Sequence, residues 1–364
     1  MMTRRAFLPA AGLKITTGCL SCAWALPPPA GLKLGFDTYT LRGFRWKAIA
    51  LLDYAARMRL DTIQFSSLRD FESLESGHLH HVRNHANRLG ISIDGGIGCI
   101  CPTSSGWRPE NRDPTAYLLE GLRVSHALGA TCMRVFMGGS AERVGPVPFE
   151  KHIEATVKVL RSVGPQARDL NVKIGVENHG DFQAWELRAM VEEAGREFVG
   201  VCLDTGNPIP ALEDPLVTLE TLGPYVVTTH IRDTALYEHP EGIAWQWVAL
   251  GDGAIDLPRF FRRYRELCPH AGVQLEIITG RSARVLPYLE PEFWSAFPKA
   301  KAAELARFVA LAKKGKPFMG SMIIAGGQGP PEYEVALREQ QRVDLERSLD
   351  YASKVLGLGL RRKA

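Results

Sequence analysis

The chain has 364 residues, 45% of them hydrophobic and 23% charged, which is enough apolar material for a large core. Its 44 basic and 40 acidic residues leave a net charge of +4, too small an excess to mark a nucleic-acid partner. A chain of this length fits one α/β barrel of about 250 residues plus insertions.

The chain opens Met1-Met-Thr-Arg4-Arg5-Ala-Phe-Leu8, runs through a moderately apolar stretch and reaches Ala23-Trp-Ala25. Paired arginines, an apolar stretch and an A-x-A site read as a twin-arginine export signal over residues 1–25, which implies a periplasmic or otherwise extracytoplasmic protein. Pro9 and Lys14 interrupt the run, so no stable membrane insertion is expected once the signal is removed. Removal of Arg4, Arg5 and Lys14 with it lowers the net charge to +1. Cys99, Cys101, Cys132, Cys202 and Cys268 remain. An odd number in a long chain is no disulfide framework, and small buried hydrophobes are expected.

Residues 26–364 read as a single domain. Apolar, β-branched runs recur at Lys33–Leu41, Asp61–Ser66, Ile91–Ile100, Cys132–Met137, Val172–Asn178, Val199–Asp204, Val226–Ile231 and Gly272–Ile278. Between them, stretches such as Ala48–Met58 and Ile153–Leu160 place apolar residues three and four apart, the spacing of a helix with one buried face. Eight alternating strand–helix units predict parallel pairing and a closed (β/α)8 TIM barrel. Helix-to-strand turns are tight, as at Arg88-Leu-Gly90, whereas the strand-to-helix loops Cys101–Pro114, Gly138–Phe149 and Thr234–Ile255 are long. In a barrel the long loops frame the active site.

After the eighth strand the pattern departs from a plain barrel. Glu332–Leu356, with Leu345, Leu349, Ala352 and Leu356 on one stripe, is the best closing helix. Arg281–Pro331 then becomes an insertion on the active-site face that partly covers the mouth, carrying Phe293, Trp294, Phe297 and Gly326–Pro331. The competing assignment makes Lys299–Lys314 the eighth helix and Glu332–Leu356 an appendage.

Strands five to eight each deliver a polar group near the carboxyl end: Glu177, Asp204, His230 and Glu276. One such residue alone is weak, because an Asp at a strand end commonly caps the next helix and a His is commonly a satisfied core residue. Four at matching depth are a pattern. Three carboxylates converging on one imidazole cannot all stay charged unless a cation joins them. Mixed oxygen and imidazole donors suit one divalent ion, with Mn2+ first and Mg2+, Co2+, Fe2+ or Zn2+ as alternatives.

Val176-Glu-Asn-His179, Leu203-Asp-Thr-Gly-Asn207, His230-Ile-Arg-Asp233, Leu250-Gly-Asp-Gly-Ala-Ile-Asp256 and Leu275-Glu276 resemble the sugar phosphate isomerase/epimerase family, the xylose isomerase-like barrels. The similarity spans roughly Leu34–Ile278 and is strongest from the fifth strand on. It implies a metal held by Glu177, Asp204, His230 and Glu276, with both glutamates doubling as acid/base groups. The Arg281–Pro331 insertion is not part of that pattern.

Such a site supports a divalent-metal-dependent isomerase or epimerase of a carbohydrate, which removes a proton beside a carbonyl and stabilises the enediolate on the metal. A lyase or dehydratase on a keto-sugar or glycoside uses the same first step. His179, Asn207 and Arg232 stand near the ligands and are candidate substrate contacts, as are Trp107, Trp245 and Trp247 in the mouth loops. The plainer alternatives are a salt bridge from Arg232 to Asp233 or another carboxylate and packing anchors for the tryptophans. Asp252 and Asp256 are expected to cap the seventh helix. An apurinic endonuclease would need more histidines at the mouth than His179 and His230, and a dead sugar-binding barrel is expected to lose a glutamate. Nothing in the composition excludes a homo-oligomer.

Overall fold

The computed structural model describes residues 31–108, 110, 113–320 and 329–362. Residues 1–25, read above as an export signal, and residues 321–328, which include the start of the Gly326–Pro331 stretch, lie outside them. In chain order the first half contains β1 (Leu34–Asp37), α1 (Ala48–Arg57), β2 (Thr62–Gln64), α2 (Ser76–Leu89), β3 (Ser92–Cys99), α3 (Pro114–Ala127), β4 (Cys132–Phe136), α4 (Phe149–Ser162) and α5 (Gly164–Asp169). The second half contains β5 (Lys173–Glu177), α6 (Ala184–Ala194), β6 (Val199–Asp204), α7 (Pro215–Leu222), β7 (Val226–His230), β8 (Asp233–His239), β9 (Gly242–Val248), α8 (Leu257–Leu267), β10 (Val273–Leu275), β11 (Arg284–Leu286), α9 (Ala302–Ala312) and α10 (Pro331–Lys354).

Eight parallel strands run in the order β10-β1-β2-β3-β4-β5-β6-β7. The ring closes beyond the end of β7, where Ile231 N donates to Gln274 O at 2.8 Å and Glu276 N to Ile231 O at 3.0 Å. This is the TIM barrel that the strand–helix alternation predicts. Cys99, Cys101, Cys132, Cys202 and Cys268 are free and buried. No helix among the described residues is long and apolar enough to cross a membrane.

Two local assignments change. The first strand stops at Asp37, not Leu41, because Asp37 Oδ1 accepts from Tyr39 N at 2.8 Å and starts a 3-10 helix over Thr38–Phe44. The stretch read as a long loop over Thr234–Ile255 contains the antiparallel hairpin β8–β9. The eighth helix position belongs to α10: Leu345, Leu349 and Ala352 are fully buried in the barrel core, and Gly43 N donates to Gln341 Oε1. The helix at Lys299–Lys314 is α9, and it packs elsewhere.

The segment after β10 sits over the carboxyl ends of the sixth and seventh strands. β11 pairs with β9, Val285 opposite Ala244. Phe308 and Ala312 of α9 join Phe297, Leu236, Ile243 and Trp245 in a second apolar cluster. That cluster also takes in Ile209, Ala211 and Leu212 from the loop after β6.

The same loop holds Glu213, whose two oxygens accept from Ala184 N at 2.9 and 3.0 Å at the start of α6. Burial pushes its carboxyl up to about 8. The folded chain therefore keeps this proton in a range where the unfolded chain has already lost it. Between roughly the ordinary glutamate value and pH 8, stability should fall as pH rises, by up to about 1.4 kcal/mol per pH unit from this group. Urea unfolding at pH 5, 6.5 and 8 should show a shallower decline in Glu213→Gln than in the parent. Parallel curves would contradict the assignment.

Candidate metal centre

The inward faces of four neighbouring strands meet at the carboxyl end of the barrel. Glu177 ends β5, Asp204 ends β6, His230 ends β7 and Glu276 follows β10. Each offers one ligand atom, and all four atoms lie within 4.8 Å of one another. Glu177, Asp204 and His230 are fully buried and Glu276 is 5% exposed, so only Glu276 is open toward the mouth. Cys202, one inward position below Asp204, forms an alternative group with Glu177 and His230.

The protein ties one oxygen of Glu177 and one of Asp204 and leaves the other facing inward. Glu177 Oε2 accepts from Arg134 Nε at 2.6 Å, while Oε1 lies 3.3 Å from His230 Nδ1. Asp204 Oδ1 accepts from Gly206 N and Asn207 N at 2.6 and 2.9 Å, which leaves Oδ2. Asn207 Nδ2 bridges Asp204 Oδ2 and Glu177 Oε1 at 2.9 and 3.1 Å. Asn178 pins the two strand ends together: its Nδ2 donates to Asp204 O at 2.9 Å and its Oδ1 accepts from Asp204 N at 2.8 Å.

His230 Nε2 faces Gln64 Oε1 at 2.5 Å. Its Nδ1 is buried without a hydrogen-bond partner, 3.3 Å from both Glu177 Oε1 and Glu276 Oε2. With the imidazole neutral, its lone pair and the carboxylate oxygens repel at one point, so the site draws in positive charge. Against the opposing effect of burial, the surrounding anionic groups push the imidazole well above its ordinary pKa. Hard oxygens and one imidazole form a donor set for a divalent cation. The residues present therefore fit a metal ion.

Arg232 supplies positive charge here. Its Nη2 contacts both Asp204 Oδ2 and Glu276 Oε2, and its guanidinium lies 4.7 Å over the Trp247 ring. The titration directions follow. Burial pushes Glu276 up, but Arg232 and then His230 hold it at about 2. Glu177, also opposed by burial, is held well below the usual carboxylate range by Arg134 and His230. Burial outweighs Arg232 at Asp204, whose carboxyl rises to about 6.

The other candidate residues fall into place around this cluster. His179 Nδ1 contacts Gly138 O at 2.6 Å and its ring stacks on Phe136 at 4.4 Å. Trp247 lies beneath Arg232, and Trp245 packs edge-on against Trp247 at 5.2 Å. Trp107 packs edge-on on Tyr117 at 6.1 Å in the loop after β3, as a packing anchor. Asp233 makes no salt bridge to Arg232. It gathers the β9–α8 loop instead, accepting from Gly251 N and Gly253 N at 3.0 and 3.1 Å. Gly253 must be glycine there, since a Cβ would stand 2.0 Å from Asp233 Oδ1. Asp256 caps α8 through Arg259 N at 3.0 Å, but Asp252 does not; it pairs with Arg347 at 2.9 Å.

Sequence reasoning missed Arg134, Gln64 and Asp37, whose Oδ2 lies 3.4 Å from His230 Nε2. The signal was present: Cys-Met-Arg134-Val-Phe and Thr-Ile-Gln64 each interrupt a buried strand with a polar side chain.

Residues 52–290 match the family model described as xylose isomerase-like TIM barrel, and the chain belongs to that family. It is 25% identical over 237 residues to the 3-oxo-isoapionate decarboxylase of Pectobacterium atrosepticum, covering 62% of this chain and 78% of that protein. Its fold is similar to the crystal structure of D-psicose 3-epimerase in the presence of D-fructose, with a TM-score of 0.57 and 17% identity over 90% of this chain and all of that one. It is also similar to a xylose isomerase-like TIM barrel protein from Mycobacterium smegmatis in complex with magnesium, with a TM-score of 0.54 and 15% identity over 77% and 96% of the two chains.

Breaking the buried Arg134–Glu177 pair from one side should be severe. Arg134→Met strands a carboxylate in the core and should cost about 3–5 kcal/mol in urea unfolding. Adding Glu177→Gln should recover part of the loss, because the stranded charge goes with it. Purely additive losses would show that the two side chains act independently.

Proposed function

We propose that the protein is a divalent-metal-dependent sugar isomerase or epimerase. The observation that carries this reading is the convergence of Glu177, Asp204, His230 and Glu276, each with one ligand atom inside a 4.8 Å span. Those four residues would hold the ion, with Mn2+ proposed from their hard oxygen and imidazole donors. When bound, the ion acts as a Lewis acid on a carbonyl and its neighbouring hydroxyl. Family membership and the likeness in fold to a D-psicose 3-epimerase agree with this reading.

The chain's own residues divide the remaining work. Glu276 is the ligand that the mouth reaches, and it is the group proposed to move the proton on the substrate carbon. Glu177 is enclosed, and Arg134 holds its second oxygen, so it serves first as a ligand. Arg232 carries a guanidinium to the mouth side of Asp204 and Glu276, where a substrate oxyanion can take it once the carboxylates bind the ion. Asn207 keeps Glu177 and Asp204 in register, and Trp247 supports the Arg232 plane.

A second reading, a lyase that releases carbon dioxide from a keto-sugar acid, is favoured by the Arg134–Glu177 pair. Two-base epimerisation needs both glutamates free to exchange protons. Decarboxylation instead breaks the bond to the carboxylate carbon, leaves its electron pair on an enolate that a cation would stabilise, releases neutral carbon dioxide and needs one proton donor for the carbon left behind. The relative from Pectobacterium is a decarboxylase by name. We extend the proposal to an exported enzyme acting on unphosphorylated sugars, on the strength of Arg4-Arg5 and the Ala23-Trp-Ala25 site.

Mn2+-loaded protein incubated in D2O with keto-hexoses and keto-pentoses should place deuterium in the recovered or isomerised sugar. Glu276→Gln should lower that exchange by about a hundred- to ten-thousandfold. Carbon dioxide release from a 3-keto sugar acid, without exchange into any neutral sugar, would replace the first reading by the second.

A further inference from the structure

A line of buried polar side chains runs down the barrel axis from the candidate metal centre. His230 Nε2 meets Gln64 Oε1 at 2.5 Å. Gln64 Nε2 donates to Thr228 Oγ1 at 2.8 Å, and Thr228 donates to Asp94 Oδ2 at 2.9 Å. Gln274 Nε2 donates to the same Asp94 oxygen at 2.9 Å and to Thr62 Oγ1 at 3.0 Å. Thr62 in turn donates to Ser92 O at 3.1 Å. Gln64, Thr228, Gln274 and His230 are all fully buried, and Asp94 is half-buried at the far end.

The direction of this chain is set by donor and acceptor chemistry. The Thr62 hydroxyl hydrogen is committed to Ser92 O, so Thr62 accepts from Gln274 and fixes that amide with its nitrogen toward Asp94. Asp94 Oδ2 therefore accepts. Thr228 has one hydroxyl hydrogen, and Asp94 takes it, so the Thr228 oxygen must accept from Gln64. That turns Gln64 Oε1 toward His230, and a carbonyl oxygen can only accept. His230 must carry a hydrogen on Nε2, and in the neutral ring the lone pair then falls on Nδ1. Nδ1 is the atom that faces Glu177 and Glu276 and lacks a partner.

We propose that Asp94, acting through Thr228 and Gln64, is a positioning residue for the metal-binding imidazole. It orders a one-way hydrogen-bond chain that keeps His230 Nδ1 free as a ligand. Asp94 lies on β3, a strand that supplies none of the four ligands. Burial pushes its carboxyl above the ordinary value, and hydrogen bonds from Gln274, Thr228 and Cys132 offset only part of that rise. The inference rests on the reading of the four-residue cluster as a metal site, and its own content is that ligand orientation is governed from the opposite end of the barrel.

Calorimetric titration with Mn2+ alone, well below each variant's unfolding midpoint, separates the two claims. Thr228→Val keeps the side-chain shape and removes the hydroxyl, and Asp94→Ala removes the terminal acceptor. Each should weaken Mn2+ binding by about ten- to a hundredfold, the usual effect of losing a partner behind a ligating histidine. Thr228→Ser, which restores the hydroxyl, should bind like the parent. Parent-like affinity in Thr228→Val or Asp94→Ala, or equal weakening in Thr228→Ser, would overturn the relay while leaving the metal site standing. Absence of Mn2+ binding by the parent would overturn the metal reading itself, and the relay with it.

Discussion

The structure turns on a mismatch of charge at the end of the barrel. Glu177 has a guanidinium of its own in Arg134. Asp204 and Glu276 share a single one, Arg232, which contacts an oxygen of each. Burial, helped by the neighbouring charges of Glu177 and Glu276, pushes the Asp204 carboxyl up to about 6 although Arg232 stands beside it. His230 adds an unpartnered Nδ1 to the same space. Burying such a set costs stability unless the charge is completed, and a divalent ion completes it while using each donor once. A barrel tolerates this arrangement because its layered core and ring of strands are stable without help from the strand ends.

The surroundings follow from that constraint. Donors from the β6–α7 loop and from Arg134 tie down oxygens of Asp204 and Glu177, so those carboxylates are held before any ion or substrate arrives, which is the preorganisation that electrostatic catalysis requires. The β8–β9 hairpin, β11 and α9 build a second apolar cluster over the ends of β6 and β7, with Trp247 supporting Arg232 from that side. Arg143 joins this cap to the neighbouring loops: its Nε donates to Ala296 O at 2.7 Å, and its guanidinium lies 4.4 Å from both the Phe149 and Phe297 rings. The cap built from the β8–β9 hairpin, β11 and α9 is thus a layer of its own above the strand ends that carry Glu177, Asp204, His230 and Glu276.

Much of the barrel was legible in the residues because its strands are short apolar runs and its helices carry an apolar stripe. The four candidate ligands were legible for the same reason: Glu177, Asp204, His230 and Glu276 each end an apolar run with a group that binds cations. The partners of Arg134, Gln64 and Asp94 were not. Each of these three is a polar residue within or at the end of an early strand, and its partner is set by the stagger between strands, which one sequence does not display. The β8–β9 hairpin was hidden by its place between a strand and a helix, where a long loop is the ordinary expectation. Asp252 and Asp256 look alike as helix caps, and only the position of Arg347 on α10 separates them. The titration of Asp204 and Glu276 likewise depends on where one arginine side chain lies.

The central claim is that the four strand-end residues hold one divalent ion. X-ray diffraction from crystals grown with Mn2+, collected at the manganese absorption edge, tests it most directly. The account predicts one anomalous peak per chain, bounded by Glu177, Asp204, His230 and Glu276, with the Arg232 guanidinium moved off Asp204 and Glu276. No peak there at saturating Mn2+, with Arg232 still bridging the two carboxylates, would contradict it.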